Sequence, residues 1–549
     1  MAQKIDKQKY WSKKPSLIFI LLSAFCCAPV WGVKYFISQD GSGHVHGAWA
    51  IIELLRGSHR FTETFQFNFI FFPDVSGHWL MATLLLILSP FTVTKIILTL
   101  TLIGMIAAAG WLRWRTAGSD GINTSFLIGA ALGFNWLWLT GFYNFEISFI
   151  TAIFTVGLFY GWRYDMNVWR SIVFATLLVL IFVSHIVGFA IVSAAICILC
   201  LLPLNDLRRK NLLWTAAAFI PNVPLIAIYK LQTEAGSGFS PIWKSLKDPY
   251  SLSNWITQFR GVDSFIIISR KAFPFIHGES SLFAIFTPLL WIMLALALLI
   301  AASWFTRLRE QSTLSNKLLP FAVLAAGSIF VAMFSPDDLQ FTSSTGGGLR
   351  ERFFLAGLFF LVPLYSCRSV STPIKWLANL ALLFVIVFQT AATWEYALRS
   401  DSESREYLTA ASSIPEATRL AAITIEPNGS RFSANSVSSL DNFIGIGRDV
   451  FIWDNYEFGH YLFPVIAKRK ADQEFVLEYT SHNAFKLDDP QNHSEERINK
   501  LAEILESDHQ RIGTLLVWGT DPQIESAYQP WFEPEPYFVN GRVRLYRHK

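Results

Sequence analysis

The chain is poor in charged residues: only 16% of its 549 residues are Asp, Glu, Lys or Arg, against about 25% in an average soluble protein. This shortage of charge argues against a purely soluble enzyme. The 45 basic residues nearly balance the 41 acidic ones, so no charge excess indicates a nucleic-acid partner. The chain has only five cysteines, most of them inside apolar runs. A small disulfide-bonded secreted module is therefore excluded.

In contrast, 52% of the residues are hydrophobic and 15% are aromatic. Apolar runs close to the ~20 residues that cross a bilayer recur through the first three-quarters of the chain. We therefore expect an α-helical polytopic membrane protein with about 11 transmembrane helices. The candidate spans lie near residues 17–37, 78–112, 124–141, 145–162, 170–184, 186–204, 211–231, 281–304, 318–335, 353–366 and 375–394.

Basic residues around the apolar runs predict the orientation. Several lysines precede the first run, which is long for a signal peptide and lacks a small-residue cleavage site. If 78–112 crosses once and 170–204 crosses twice, the arginines after alternate spans face the same side as the N-terminus, as the positive-inside rule requires. We predict a retained first helix and a cytoplasmic N-terminus. An odd number of spans then puts the C-terminal region outside the cytoplasm.

The composition changes near residue 395, after which no apolar run is long enough to span a bilayer. We predict a transmembrane domain over 1–395 and a soluble extracytoplasmic α/β domain over 396–549. Periodicity within this second domain predicts both helices and strands. The helices are 405–414 and 494–507, and the strands are 420–425, 450–453, 514–518 and 542–546.

The first candidate site directly follows the first span. Asp40 precedes a glycine-rich segment that contains His44 and His46. Glycine allows the backbone to approach a ligand closely, and ionisable groups beside a membrane span are functional candidates. The alternatives are a helix-capping aspartate in a polar loop, or a weak metal pair made by the two histidines. Residues 49–61 then predict an amphipathic helix lying in the membrane interface.

The second candidate site precedes a late span on the extracytoplasmic side, where Arg350 and Arg352 follow three glycines. Arginines on the side that topology disfavours need a reason, and arginine binds phosphate in a bidentate manner. The sequence therefore predicts a lipid phosphate or pyrophosphate site. The alternative is an ion pair with Glu351 or with the acidic residues 337–338. A Walker phosphate loop is excluded because no Gly-Lys-Ser/Thr follows.

The third candidate group lies in two turns that the topology places on the same side as Asp40. Glu146 closes the turn 140–146, and His185 lies in the next such turn. Each residue is either part of the site or a satisfied polar group at a helix end. The loop 232–280 combines aromatic and basic residues, which is typical of an interfacial lid or of a belt of membrane anchors.

Together these features resemble the GT-C superfamily of membrane glycosyltransferases. The shared features are an acidic residue after the first helix (Asp40), an amphipathic helix in the same loop, Arg352-Phe353 at the start of a late helix, and an extracytoplasmic C-terminal domain. One feature departs from the family pattern. Many members have paired acidic residues in this loop, whereas here glycine follows Asp40 and the next acids are Glu53, Glu63 and Asp74.

The resemblance implies an enzyme of the cell envelope, multi-pass in a bacterial cytoplasmic membrane, that transfers sugar from a polyprenyl-phosphate-linked donor. Asp40 would then be the general base, and Arg350 and Arg352 would bind the donor phosphate. Glu146 would orient the acceptor or hold a divalent cation where one is used. The assisting substrate-binding residues would be His44, His46 and His185. The implied partners are the lipid-linked sugar and membrane lipid, and no oligomeric state is implied.

Two other functions remain open at this point. A transporter or flippase of lipid-linked saccharides is expected to bind its substrate near the bilayer midplane, between two similar halves, and the sequence shows no matching halves. A non-catalytic scaffold with GT-C-like architecture would explain the missing second acid. An enzyme should bring Asp40 together with the arginines at positions 350 and 352.

Overall fold

The computed structural model describes residues 13–68, 73–202, 209–236, 288–309, 315–334, 348–426, 432, 434–460, 462–487 and 493–549. Four of the described helices are long and apolar enough to cross a membrane, and shorter apolar helices accompany them. A helix or a pair of helices lies at each predicted span. They are α1 (Lys13–Trp31), α2 (Gly41–Leu55), α3 (His59–Thr64), α4 (Ser76–Leu85), α5 (Pro90–Ala117), α6 (Ile122–Gly133), α7 (Trp136–Thr140), α8 (Tyr143–Trp162), α9 (Val168–Ser184), α10 (Ile186–Leu201), α11 (Arg209–Phe219), α12 (Asn222–Gly236), α13 (Pro288–Arg309), α14 (Ser315–Phe334), α15 (Leu349–Leu361) and α16 (Thr372–Leu408). Loop 232–280 lies almost wholly outside the described residues.

Two long apolar runs are each divided into two helices. The run 78–112 breaks between α4 and α5, where Pro90 occupies the first turn of α5 and Ser89 caps it by accepting from the Thr92 N–H at 3.3 Å. The run 170–204 breaks at His185, whose Nδ1 accepts from the Val187 N–H at 3.0 Å and so caps α10. Both breaks therefore follow from ordinary capping chemistry.

The helix in the first loop lies further toward the N-terminus than the sequence predicted. We expected an amphipathic helix over 49–61, but α2 begins at Gly41 and ends at Leu55. Gly57 follows it with a φ of 71°, a left-handed conformation that stops a helix. The glycines and histidines after Asp40 are thus helical and buried, rather than part of an open loop.

The C-terminal region contains a mixed sheet in the order β3-β2-β6-β8-β7, with β5 also paired to β2. Strand β2 runs parallel to β3, β5 and β6, whereas β8 is antiparallel to both β6 and β7. All four predicted strands are present. The elements are β2 (Arg419–Glu426), α17 (Asn442–Gly445), β3 (Phe451–Ile452), β4 (Val465–Ala467), α18 (Lys470–Thr480), β5 (Ala484–Lys486), α19 (Glu495–Asp508), β6 (Thr514–Trp518), α20 (Pro522–Tyr528), β7 (Phe538–Asn540) and β8 (Val543–Arg547).

The two regions are packed together. Helix α16 is continuous across residue 396, where we had predicted a domain boundary. Strand β1 (Phe65–Phe67) in the first loop pairs antiparallel with β4. Residues of β2 alternate between two cores: Leu420 joins the core shared with the membrane helices, and Ala421 joins the core of the C-terminal region. This docking brings the C-terminal segment 454–460 onto α2.

Candidate functional site

Asp40 lies at the N-terminus of α2 and leaves its carboxylate free for chemistry. Its backbone N–H donates to the carbonyl of Thr140 at 2.8 Å, and the Ser38 and Tyr143 hydroxyls meet at 2.5 Å. The turn between α7 and α8 therefore fixes the position of Asp40. Among the described residues, the Asp40 carboxylate makes no capping hydrogen bond and accepts a single long bond, of 3.4 Å, from the Gln39 amide. The helix-capping alternative is thus not realised.

Asp74 lies in the same surroundings on a strained turn. Its φ of 79° is in the left-handed region, which is rare for a residue other than glycine and costs energy that the surroundings must supply. The Asp74 N–H donates to the Ser184 carbonyl at 3.1 Å, and the Asn144 amide donates to the Asp74 carbonyl at 2.8 Å. The Asp74 carboxylate faces His185 Nε2 at 3.6 Å. Strain of this kind often marks a functional turn.

Glu457 of the C-terminal region reaches between two histidines of the membrane region. One carboxylate oxygen contacts His44 Nδ1, and the other lies 3.0 Å from His78 Nε2. All three side chains are buried. Gly47 makes this approach possible, because a Cβ at that position would collide with the Glu457 carboxylate. His44, His78 and Glu457 are also the group of described residues that is arranged to hold a metal ion.

Arg352, on α15, points toward Asp74 and His185. These three residues, with Asp40, His44, His78 and Glu457, are called the cluster below. The Arg352 guanidinium lies over the rings of Phe142 and Phe145, at 5.0 Å and 5.2 Å from their centroids. Burial and this guanidinium together lower the pKa of His185, and the guanidinium partly opposes the rise that burial causes in the pKa of Asp74. Arg350 comes two residues earlier on the helix, so its side chain leaves α15 about 200° away from that of Arg352. Arg352 is the arginine that we place beside Asp74.

The three carboxylates of the cluster differ in pKa. Burial raises the pKa of Asp40 to about 6, and the nearby His44 partly opposes this shift. Burial also raises the pKa of Asp74 to about 7, opposed by Arg352. Burial acts on Glu457 in the same direction, but His78 and His44 outweigh it and lower the pKa of that carboxyl. Tyr456 interacts with Asp40, Asp74 and Arg352 together, and so links the two ends of the site.

Two predicted site residues lie elsewhere. The His46 Nδ1 meets the Asn442 side-chain oxygen at 2.9 Å, and burial lowers the pKa of His46 to about 4, so this neutral ring anchors α17. Glu146 accepts from the Asn135 amide at 3.1 Å inside the helical packing. Of the predicted residues, the structure places Asp40 beside His44 and Arg352 beside His185, with Tyr456 interacting with both ends. His46 and Glu146 make other contacts.

Sequence reasoning missed three members of the cluster. His78 begins an apolar run and was read as part of a membrane span. Asp74 was noted only as a distant acid of the first loop. Glu457 lies 413 residues from His44, in a segment where no pattern marks it. The available signal was the glycine at position 47, which permits close approach of another segment.

No family model matches the chain, and no curated protein matches its sequence. Among solved structures, ArnT from Cupriavidus metallidurans bound to undecaprenyl phosphate is similar, with a TM-score of 0.51 and 10% identity over 98% of each chain. The apo state of that protein gives the same TM-score over 97% of each chain. This likeness confirms the predicted GT-C-like fold, and at this identity it shows the fold alone. An Archaeoglobus fulgidus oligosaccharyltransferase tethered to an acceptor peptide has a TM-score of 0.45 and 12% identity, over 98% of this chain and 74% of its own.

Proposed function

We propose that this chain is a membrane glycosyltransferase that moves a sugar from a polyprenyl-phosphate-linked donor to an acceptor on the extracytoplasmic side. The observation that carries the proposal is the cluster at the loop ends of the membrane helices. An uncapped carboxylate, Asp40, and a guanidinium, Arg352, share neighbours there in a chain of GT-C fold. A base and an anion-binding cation are the two groups that this transfer needs.

Asp40 is the proposed general base. The acceptor hydroxyl attacks the anomeric carbon of the donor, and Asp40 takes its proton as the new bond forms. With a pKa of about 6, the carboxylate is mostly ionised at neutral pH while still basic enough to accept a proton. Attack opposite to the leaving phosphate inverts the anomeric centre.

Arg352 is the proposed ligand of the departing phosphate. Charge grows on the lipid phosphate as its bond to the sugar breaks, and a fixed guanidinium stabilises that charge more than the ground state. The undecaprenyl phosphate bound to ArnT supports a polyprenyl phosphate as the lipid of this chain. We take Arg352 as the principal ligand because Arg350 leaves α15 on another side. Arg352 also interacts with His185 and Asp74, and these two side chains face each other beside it.

The position of the cluster also bears on the two alternatives. A transporter is expected to hold its polar site at the bilayer midplane, whereas Asp40 and Asp74 lie in loops between helices, next to a C-terminal segment. This position favours an enzyme over a transporter or flippase. A non-catalytic scaffold would bind the lipid without releasing polyprenyl phosphate, so turnover separates it from an enzyme.

Native mass spectrometry of the full chain in detergent tests the lipid. We expect a polyprenyl phosphate to co-purify or to bind when added, and Arg352→Ala to reduce its occupancy at least about tenfold, because a charge-assisted pair is lost. Arg56→Ala is the matched control, since Arg56 is exposed and contacts Glu53 at 3.0 Å and the Trp49 ring. Binding that is absent in the wild type, or equal in the two variants, would contradict the proposal.

A further inference from the structure

The three side chains of the His44–Glu457–His78 group come from three separate elements. His44 is on α2, His78 is on α4, and Glu457 is in the 3₁₀ turn Tyr456–Gly459. The exposed fraction of each residue is 4% or less. Buried imidazoles and a buried carboxylate that converge from separate elements are the side-chain types that hold a metal ion. The group is therefore a candidate for a specific ligand.

The ligand chemistry fits zinc, and the three side chains lie close enough together for a single ion. Each residue offers one ligand atom, and these atoms lie within 4.8 Å of one another. The His78 Nε2–Glu457 Oε2 separation is 3.0 Å, against about 3.3 Å for two ligands held at ~2.0–2.1 Å in a tetrahedral zinc site. Two histidines and one glutamate also form a common zinc ligand set, which leaves a fourth position for water.

The hydrogen bonds of His78 point to a cation. Its Nδ1 lies 3.1 Å from the Asp74 carbonyl, which can only accept, so Nδ1 carries the proton. The other ring nitrogen, Nε2, faces the Glu457 carboxylate at 3.0 Å, so a cation bound there would be shared by the two side chains. A histidine that donates one nitrogen to a backbone carbonyl and presents the other is the usual second-shell arrangement of a metal ligand.

A second observation comes from His44. While its Nδ1 contacts Glu457, its Nε2 has no hydrogen-bond partner among the described residues, although the ring is buried. A buried polar atom without a partner in the protein indicates a bound water, ion or ligand. His44 is thus incompletely satisfied by the described residues.

We propose that His44, His78 and Glu457 form a zinc site that ties the C-terminal region to the first loop. The ligands are separated by 379 and 413 residues, so one ion links parts of the chain that are otherwise held by packing and hydrogen bonds. Metal binding to preformed ligands stabilises the folded state alone. The site requires no glycosyltransferase activity and is tested without an activity assay.

Metal analysis of the full chain tests the site. The protein is purified in detergent without a histidine tag, stripped with a chelator, reloaded with zinc chloride and measured by plasma mass spectrometry. We expect about one zinc ion per chain in the wild type, and at least about tenfold weaker zinc binding in His78→Ala and Glu457→Gln. His59→Ala is the control, because His59 is exposed and faces Glu63 at 3.4 Å; it should keep wild-type zinc.

X-ray absorption of the zinc-loaded wild type covers the case in which a variant does not fold. It should show imidazole and oxygen ligands at about 2.0–2.1 Å. A wild type that retains no zinc after reloading would overturn the proposal. So would sulfur ligands at about 2.3 Å, or zinc content that is the same in His78→Ala, Glu457→Gln and the wild type.

Discussion

Arg352 differs from the surface arginines in that aromatic rings and acidic groups surround it on α15. Its planar guanidinium binds phosphate in a bidentate manner, which a lysine cannot reproduce. We therefore expect Arg352→Lys to keep the charge but weaken polyprenyl phosphate binding about tenfold, since roughly one charge-assisted hydrogen bond is lost. Titration of added lipid followed by native mass spectrometry measures this, with Arg56→Lys as control. Equal affinity in the wild type and Arg352→Lys would show that Arg352 does not contact the phosphate.

At the same scale, the residues that sequence could identify were those in unusual positions. Asp40 directly follows a span, and Arg352 lies on the side of the membrane that arginine normally avoids, so topology marks both. Their individual roles stay predictions. Asp74 and Glu457 could not be identified, because only tertiary contacts distinguish them from any other acid in a loop. His78 was hidden by the apolar run that it begins.

At the scale of elements, α2 is a glycine-containing helix shaped by the segment that packs on it. A Cβ at Gly47 would collide with the Glu457 carboxylate, whereas a Cβ at Gly43 would meet the Asn455 side chain at an ordinary 3.4 Å. Gly47→Ala should therefore destabilise the protein by about 1–3 kcal/mol through overpacking. Gly43→Ala should be neutral or stabilising by up to about 1 kcal/mol, because alanine favours the helix.

Thermal unfolding of both variants in detergent, with limited proteolysis of the C-terminal region, measures this difference. Similar melting temperatures for Gly47→Ala and Gly43→Ala would mean that Glu457 does not pack closely on α2.

The elements themselves were largely predictable. The apolar runs and the four C-terminal strands follow from hydrophobic pattern alone, and the breaks at Ser89-Pro90 and His185 follow from capping residues. The start of α2 was not predictable from pattern, because glycines normally disfavour a helix. Here tertiary packing overrides that preference, since the small residues let the segment 454–460 approach.

At the scale of the whole molecule, the C-terminal region carries a pH-dependent stability. Asp441 and Asp454 are buried carboxyls that face each other, with Tyr407 and Tyr479 nearby. Burial raises the pKa of Asp441 from its ordinary 3.8 to about 7, and burial and Asp441 raise that of Asp454. The folded state therefore holds a proton that the unfolded state has lost, so stability should fall as the pH rises from about 4 to 7.

Asp454→Asn removes one of the two charges and should flatten this pH dependence. Its melting temperature at pH 7 should rise by roughly 2–4 °C for each kcal/mol recovered. Intrinsic tryptophan fluorescence of the full chain, scanned at several pH values, gives the measurement. Asp449→Asn is the control, because Asp449 is half exposed and pairs with Arg60. A wild-type stability that rises over this pH range would contradict the assignment.

Release of free polyprenyl phosphate tests the central claim most directly. The full chain is placed in proteoliposomes with a polyprenyl-phosphate-linked sugar, and envelope extract supplies the acceptor. The wild type should release the lipid phosphate, and Asp40→Asn should do so about 10²–10⁴-fold more slowly while remaining folded, because the base is lost. Asp449→Asn should match the wild type. Release by folded Asp40→Asn at the wild-type rate would contradict the account.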